Sequence, residues 1–297
     1  MTYRQMMRAL EKQRVRISAR QRRQIAQIYR EAARHYGIKI TKASNELTRE
    51  MLLKYAEELK GESKGMFRRI SETIKKGMTD TAEAVTTTQA KFWGSLAKGF
   101  YDKVADTLSP VPQAVVNEIA AGELYKDGKG LSSRIWRMRK AYEHDIDYII
   151  QRGIVEKKSV LDLARDLETF VNPDARKPFE WRKVYPNAST VVDYNAQRLA
   201  RTACTHAYQK SFERTNKDNP FVQSYTWHSG NGGRVCPLCK KRDGQHFKKG
   251  HVPLDHPNGM CIITADIPMD LTSIGSEIAA WMNGKPNAGL DKWVGKP

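Results

Sequence analysis

The sequence predicts a mainly α protein that ends in a small β-rich unit. Three observations lead there. Apolar residues recur at helical spacing through most of the chain before Phe221, and proline is absent before Pro110. Beyond Phe221 the pattern changes to period-two alternation beside three closely spaced cysteines.

The first segment, residues 1–108, reads as an extended helical region rich in Lys, Arg, Gln, Glu and Ala. Met7, Leu10, Ile17, Ile25, Ile28 and Ala32 recur at roughly helical intervals. Helix breaks are expected at Gly37, around Thr41 to Asn45, at Gly61 with Gly65, and at Gly77. A second helical series covers Thr81 to Leu108 until Pro110 and Pro112 stop it.

The second segment, residues 109–220, reads as a compact helical middle domain. After an Asp127 to Gly130 loop, Ile135, Met138, Tyr142, Ile146 and Ile149 mark one face of a helix that Gly153 can end. The next helix starts at Ser159, whose hydroxyl can cap free amides while Asp162 sits favourably in the first turn. Val160, Leu163, Ala164 and Leu167 then face inward. Residues 172–186 hold three prolines and are irregular, and a third helix follows from Val191 to Arg214.

The third segment, residues 221–267, is the β-rich unit. Ser224-Tyr225-Thr226-Trp227-His228 alternates, and Gly230 to Gly233 and Asp243-Gly244 offer turns. Residues 268–297 form a tail with a short helix near Ile274 to Met282 and no chemical signal.

Composition narrows the class of function. Lys and Arg number 51 against 33 Asp and Glu, a formal net charge of +18 that asks for an acidic or polyanionic partner. No run approaches the roughly 20 apolar residues of a membrane span, and the N-terminus lacks the apolar core of a secretory signal. A soluble protein that is not exported by that route is therefore expected. Four cysteines are too few for a disulfide scaffold, and the clustering of Cys236, Cys239 and Cys261 reads as metal binding.

Cys236-Pro237-Leu238-Cys239 is a C-x-x-C pair, whose tight turn can offer two thiolates to one tetrahedral zinc (Zn2+) ion at about 2.3 Å each. Cys261 is the natural third ligand and His256, in a proline-bearing loop, the best fourth. His246 and His251 compete on spacing alone. The unit has few apolar residues, so a structural metal would staple its loops. A redox reading of Cys236 and Cys239 lacks the βαβ context it needs. Catalysis would require an open metal position and a placed acid or base. Asp243, before a glycine, reads as a turn residue and Asp255 as the partner of a histidine. A zinc-stapled ββα nuclease of the His-Asn-His kind is the enzymatic alternative, since Asp255-His256 resembles its start. It needs a further histidine or asparagine on a following helix, and no histidine follows His256.

The same segment resembles the C-terminal signature of phage head-morphogenesis proteins, the F-like minor head proteins. These combine a C-x-x-C, a later Asp-Gly, and a proline-bearing loop ending in His-Pro-Asn-Cys-Arg-Cys. Here Cys236, Cys239, Asp243, Gly244, Pro253, His256, Pro257 and Asn258 correspond, closing on Cys261. Gly259 and Met260 stand where relatives carry Cys and Arg, so a four-cysteine site is impossible and His256 gains weight as a ligand. Arg198-Leu199-Ala200-Arg201-Thr202 before Trp227 resembles the family's upstream helix, with Ala203 in place of a glutamate. The likeness covers about residues 130–265. It implies a minor capsid protein of a tailed phage, synthesised in the host bacterial cytoplasm and located in the virion head. It further implies association with the portal and with the major capsid or scaffold protein, and a role in assembly and in DNA packaging or ejection. A zinc-stabilised nucleic-acid-binding module is the other class the residues support.

Residues 1–34 hold ten Lys or Arg against Glu11 and Glu31. Arg14, Arg16, Arg20, Arg22 and Arg23 are thus expected to meet packaged DNA or a portal surface, with Arg16, Arg20 and Arg23 on one helix face. Cys204, among Ala200, Ala203 and Ala207, reads as a core thiol. His206, two residues on, points elsewhere, so the two form no catalytic pair. His35 and His144 read as surface or capping residues, Arg198 and Arg201 as salt-bridge partners. Gly230 to Gly233 lacks the strand and lysine of a phosphate loop.

Overall fold

The computed structural model describes residues 2–43, 48–175, 181, 183–188, 192–230 and 235–296, with residues 37–43 described by backbone alone. Helices α1 (Tyr3–Ala43), α2 (Arg49–Gly94), α3 (Phe100–Leu108), α4 (Val111–Ala121), α5 (Leu131–Val155), α6 (Val160–Val171) and α7 (Val192–Thr215) precede the sheet. Strand β1 (Ser224–His228), helix α8 (Pro237–Arg242), strands β2 (His246–Lys248) and β3 (Ile262–Asp266), and helices α9 (Leu271–Met282) and α10 (Ala288–Val294) complete the chain. The fold is mainly helical with one small sheet, as the periodicities predict.

Several expected breaks are absent. α1 continues through Gly37, and α2 runs unbroken through Gly61, Gly65 and Gly77. An internal glycine costs about 1 kcal/mol relative to alanine, whereas burying one large apolar side chain contributes about 1.5–3 kcal/mol. The buried stripe of Ile70, Ile74, Met78, Ala82 and Val85 therefore outweighs the glycines. Gly153 does not end α5 either, since the helix continues to Val155. A Cβ at 153 would lie 2.5 Å from Leu163 Cδ1, so glycine is there to let α6 approach. Ser159 caps α6 as expected, its hydroxyl accepting the Asp162 amide at 3.1 Å.

The chain forms two compact units, residues 1–19, 75–120 and 201–297 in one and residues 20–74 and 121–200 in the other. This division cuts across the four consecutive segments read from the sequence. An amphipathic helix is stabilised by whatever surface covers its apolar face, and chain order does not choose that surface.

The first unit joins Met6, Met7, Leu10 and Ile17 to Phe92, Trp93, Phe100, Tyr208, Phe212, Tyr225 and Trp227 in one core. The tail belongs to it. Ile274, Ile278 and Trp281 of α9 and Leu290 and Trp293 of α10 are buried there, Trp293 meeting Trp93 edge-on at 5.5 Å. In the second unit Tyr142 meets Tyr29 and Phe67 edge-on and stacks on Phe170 at 5.7 Å, and Phe170 stacks on Trp181 at 6.1 Å.

The sheet has the order β2-β1-β3, all antiparallel, with Tyr225 opposite both Phe247 and Ala265 and Trp227 opposite Ile263. Tyr225, Trp227, Ile263 and Ala265 point into the core, which is the alternation the sequence displays. Asp243-Gly244 makes the expected turn, with Gly244 at φ +74° and its N–H donating to the Trp227 carbonyl at 2.8 Å. Of the other expected turn, residues 231–233 lie outside the described residues.

Candidate metal centre

The C-x-x-C pair sits at the start of α8. Cys236 is the N-cap residue, its sulfur accepting the Cys239 N–H at 3.4 Å, and Pro237 opens the first turn. The turn places both sulfurs on one side. His256 Nε2 lies 3.4 Å from Cys236 Sγ, while its Nδ1 donates to the Pro257 carbonyl at 3.0 Å. A carbonyl can only accept, so Nδ1 carries a proton, and in the neutral ring it is the Nε2 lone pair that faces the cysteines. Cys261 lies just before β3 and is buried.

Asp255 completes the cluster. It is 4% exposed, and its Oδ1 accepts the His256 N–H at 2.8 Å and lies 4.0 Å from Cys239 Sγ. Its Oδ2 accepts the Cys261 N–H at 3.1 Å. Donor atoms of Cys236, Cys239 and His256 lie within 4.8 Å of one another, as do those of Cys239, Asp255 and Cys261. Cys239 belongs to both groups. Cys236, Cys239, His256 and Cys261 are thus close enough to hold a metal ion.

N–H donors surround the sulfurs. The Cys239 amide, then the Cys239 thiol, with His256 and the Leu238 amide, draw Cys236 below the usual thiol range. Burial pushes Cys239 well up, helped by hydrogen bonding to Cys261 and Cys236 and by the Asp255 charge. Burial and the Asp255 charge also raise Cys261, against the pull of Cys239 and the Gly230 amide. At His256 burial favours the neutral ring, but the Pro257 carbonyl, Asp255 and Cys236 together raise its pKa. Three sulfurs and a carboxylate packed this tightly repel once ionised, and a divalent cation removes that conflict. The sulfur-rich donor set with one imidazole suits zinc.

One face of α7 holds the loop. Thr202, Thr205, His206 and Gln209, all buried, stand at helical spacings of three, one and three. Thr202 Oγ1 accepts the Asn258 N–H at 2.8 Å, and Thr205 Oγ1 donates to the Gly259 carbonyl at 2.9 Å. His206 Nε2 donates to the Asp255 carbonyl at 3.0 Å, and Gln209 bonds the Asp255 N–H at 3.1 Å and the Pro253 carbonyl at 2.7 Å. Of these four only Thr202 falls in a motif the sequence offers, and nothing in that motif marks it as a support of the site. Their polar stripe on an otherwise Ala- and aromatic-lined helix is the signal that carries them. Gly259 has a steric reason too: a Cβ there would fall 2.5 Å from Asp255 Oδ1. A cysteine at 259 and this placement of the carboxylate exclude each other.

The competing histidines are elsewhere. His246 Nδ1 donates to Asp266 Oδ2 at 2.8 Å across the sheet, and His251 is exposed in a loop. Asp243 Oδ1 accepts the Ser229 N–H at 2.7 Å, as a turn residue does. Cys204 is buried in the core, as its neighbours predict.

Arg14 requires a correction. Expected to face an outside partner, it is 2% exposed. Its Nη1 donates to Thr205 Oγ1 at 3.0 Å, its Nη2 to the Met260 carbonyl at 2.9 Å, and its guanidinium lies 5.4 Å from the Tyr208 ring centroid. It is a structural clamp that ties the loop at Met260 to α7. Arg16, Arg20, Arg22 and Arg23 are exposed, and Arg22 donates to Gln197 Oε1 at 3.2 Å. Among the described residues no helix is long and apolar enough to cross a membrane. Comparison of the chain with protein-family models, with curated proteins and with solved structures finds no match in any of the three.

Proposed function

We propose that this chain is a minor head protein of a tailed bacteriophage, a structural component of the portal and inner head that serves assembly and DNA packaging or ejection. The observation that carries the reading is the convergence of the C-x-x-C, the His-Pro-Asn loop and Cys261 on one cluster able to hold a metal. In this reading Cys236, Cys239, His256 and Cys261 bind one zinc ion, which fixes loops too poor in apolar residues to hold themselves. Asp255 orients the ligands and stays outside the inner shell. The site closes with four protein donors, so it serves structure and not hydrolysis.

The test is made on particles. The protein is expected in purified heads, in few copies, and retained with the portal when heads are disassembled. A phage lacking the gene that still yields filled, infectious heads would overturn the reading. Native mass spectrometry of the full chain is expected to show the mass of one zinc, released by chelation. Metal-dependent DNA cleavage that disappears in His256→Ala, with the variant folded, would favour the nuclease alternative instead.

The exposed Arg16, Arg20, Arg22 and Arg23 supply the anion-binding surface in this reading, toward packaged DNA or an acidic portal face. Met6, Met7, Leu10 and Ile17 of the same helix are core residues, so charge replacement is the informative change and deletion is not. Replacing the four arginines with glutamine should lower the salt dependence of DNA retention by about 0.9 for each phosphate no longer neutralised. Unchanged salt dependence with failed incorporation into heads would assign the surface to the portal.

A further inference from the structure

Helix α5 buries Leu131, Ile135, Tyr142, Ile146 and Ile149 and turns its other face to water. On that face stands Trp136, 57% exposed. The chain has six tryptophans, and Trp93, Trp181, Trp227, Trp281 and Trp293 are all buried. A large aromatic ring left in water forgoes most of the burial that makes tryptophan favourable in a fold, and such rings mark contact surfaces. Its neighbours on the exposed face are Ser132, Ser133, Arg137, Lys140 and His144. Arg137 forms no ion pair among the described residues, whereas Lys140 pairs with Glu143 at 2.9 Å. Exposed Lys126 and Lys129 precede the helix.

We propose that this face of α5 binds single-stranded nucleic acid, an unpaired base stacking on Trp136 while Arg137 and Lys140 meet the flanking phosphates. Each part of the surface selects that partner. The cations, on a chain of net charge +18, call for a polyanion. The bare indole calls for a flat ring, which an acidic protein rarely presents and a duplex keeps inside its stack. A lipid surface would need further exposed apolar side chains beside Trp136, and this stripe has none. The proposal is independent of the zinc knot and of the role in phage heads.

The test uses the full-length protein, a short oligothymidylate and a duplex of equal length. Because the other tryptophans are buried, quenching of the intrinsic emission on adding the single strand reports Trp136. Binding is expected to weaken roughly tenfold or more in Trp136→Ala and to survive largely in Trp136→Phe, as base stacking requires. Arg137→Gln with Lys140→Gln should flatten the slope of log affinity against log salt by about 0.7 for each phosphate no longer neutralised. A urea melt shows each variant folded. Equal affinity of wild type and Trp136→Ala, absence of quenching, or a duplex bound as tightly through the same residues would each overturn the proposal.

Discussion

At the scale of single residues, Asp255 and Gly259 form one device. The carboxylate accepts the amides of His256 and Cys261, two proposed ligands, and occupies the space a side chain at 259 would need. Gly259→Ala should therefore push Asp255 aside, and competition against a chromogenic chelator is expected to show weaker zinc binding. An alanine variant that holds zinc as tightly as wild type would refute the coupling. Cys239→Ser removes the sulfur common to both donor groups and should leave the protein without stoichiometric metal by native mass spectrometry. Arg14→Met keeps the volume of the stem but removes the donor to the buried Thr205 hydroxyl and to the part-buried Met260 carbonyl, a loss of about 1–3 kcal/mol. A lowered urea midpoint with unchanged slope would register it. The donor cluster was legible because thiolate and imidazole groups at such spacings have few other uses. Arg14 was not, because a buried arginine has the same letter as its exposed neighbours. Its position was the clue: it continues the buried stripe of Met7, Leu10 and Ile17, where an outward-facing residue has no place.

At the scale of elements, the sheet is tied by one carboxylate. Asp266 on β3 accepts hydrogen bonds from Ser224 and Thr226 on β1, both at 2.5 Å, and from His246 on β2 at 2.8 Å. Burial alone would raise its pKa, but these hydrogen bonds outweigh burial and hold it below the usual carboxylate range. A carboxylate whose folded pKa lies below its unfolded value near 3.9 contributes stability in full above that value and loses it as pH falls through the folded pKa. Asp266→Asn should thus melt at a lower temperature than wild type at neutral pH, with the gap closing as the solution is taken well below pH 4. Metal ligands protonate alike in both proteins, so the difference isolates Asp266. A gap constant with pH would contradict the assignment. The alternation in β1 and the Ser159 cap were readable because period and cap chemistry are local. The continuity of α2 was not, since glycine's local cost is outweighed only by core packing supplied from elsewhere in the chain. The start of α1 carried a signal that periodicity passes over: Thr2 and Gln5 exchange side-chain to backbone hydrogen bonds at 3.2 and 2.9 Å as a capping box.

At the scale of the molecule, the proposed metal and most of the chain's chemistry belong to one of the two compact units. The knot shares its core with Met6, Met7 and Leu10 of α1 and with α9 and α10, so the sequence-distant ends of the chain are both recruited to hold it. The other unit, residues 20–74 and 121–200, has its own core of Tyr29, Phe67, Tyr142, Phe170 and Trp181 and no part of the cysteine cluster. Metal binding contributes folding free energy where its ligands must be ordered, and local opening follows the density of buried packing around each segment. Removing the proposed zinc should therefore deprotect residues 235–262 first, because their loops are held by hydrogen bonds from α7 more than by apolar packing. Amide hydrogen exchange of the full chain with and without chelator measures this directly. The expected outcome is fast exchange spreading from the His256 loop to α8 and to Thr202 through Gln209 of α7, while α5 and α6 keep their protection. Arg14→Met should give a milder version of the same pattern with zinc still bound, since it releases the loop at Met260 without touching a ligand. Chelation that leaves the loop protected would mean that packing and not metal holds the knot. Deprotection of α5 and α6 at the same rate as the loop would mean that the two cores open as one.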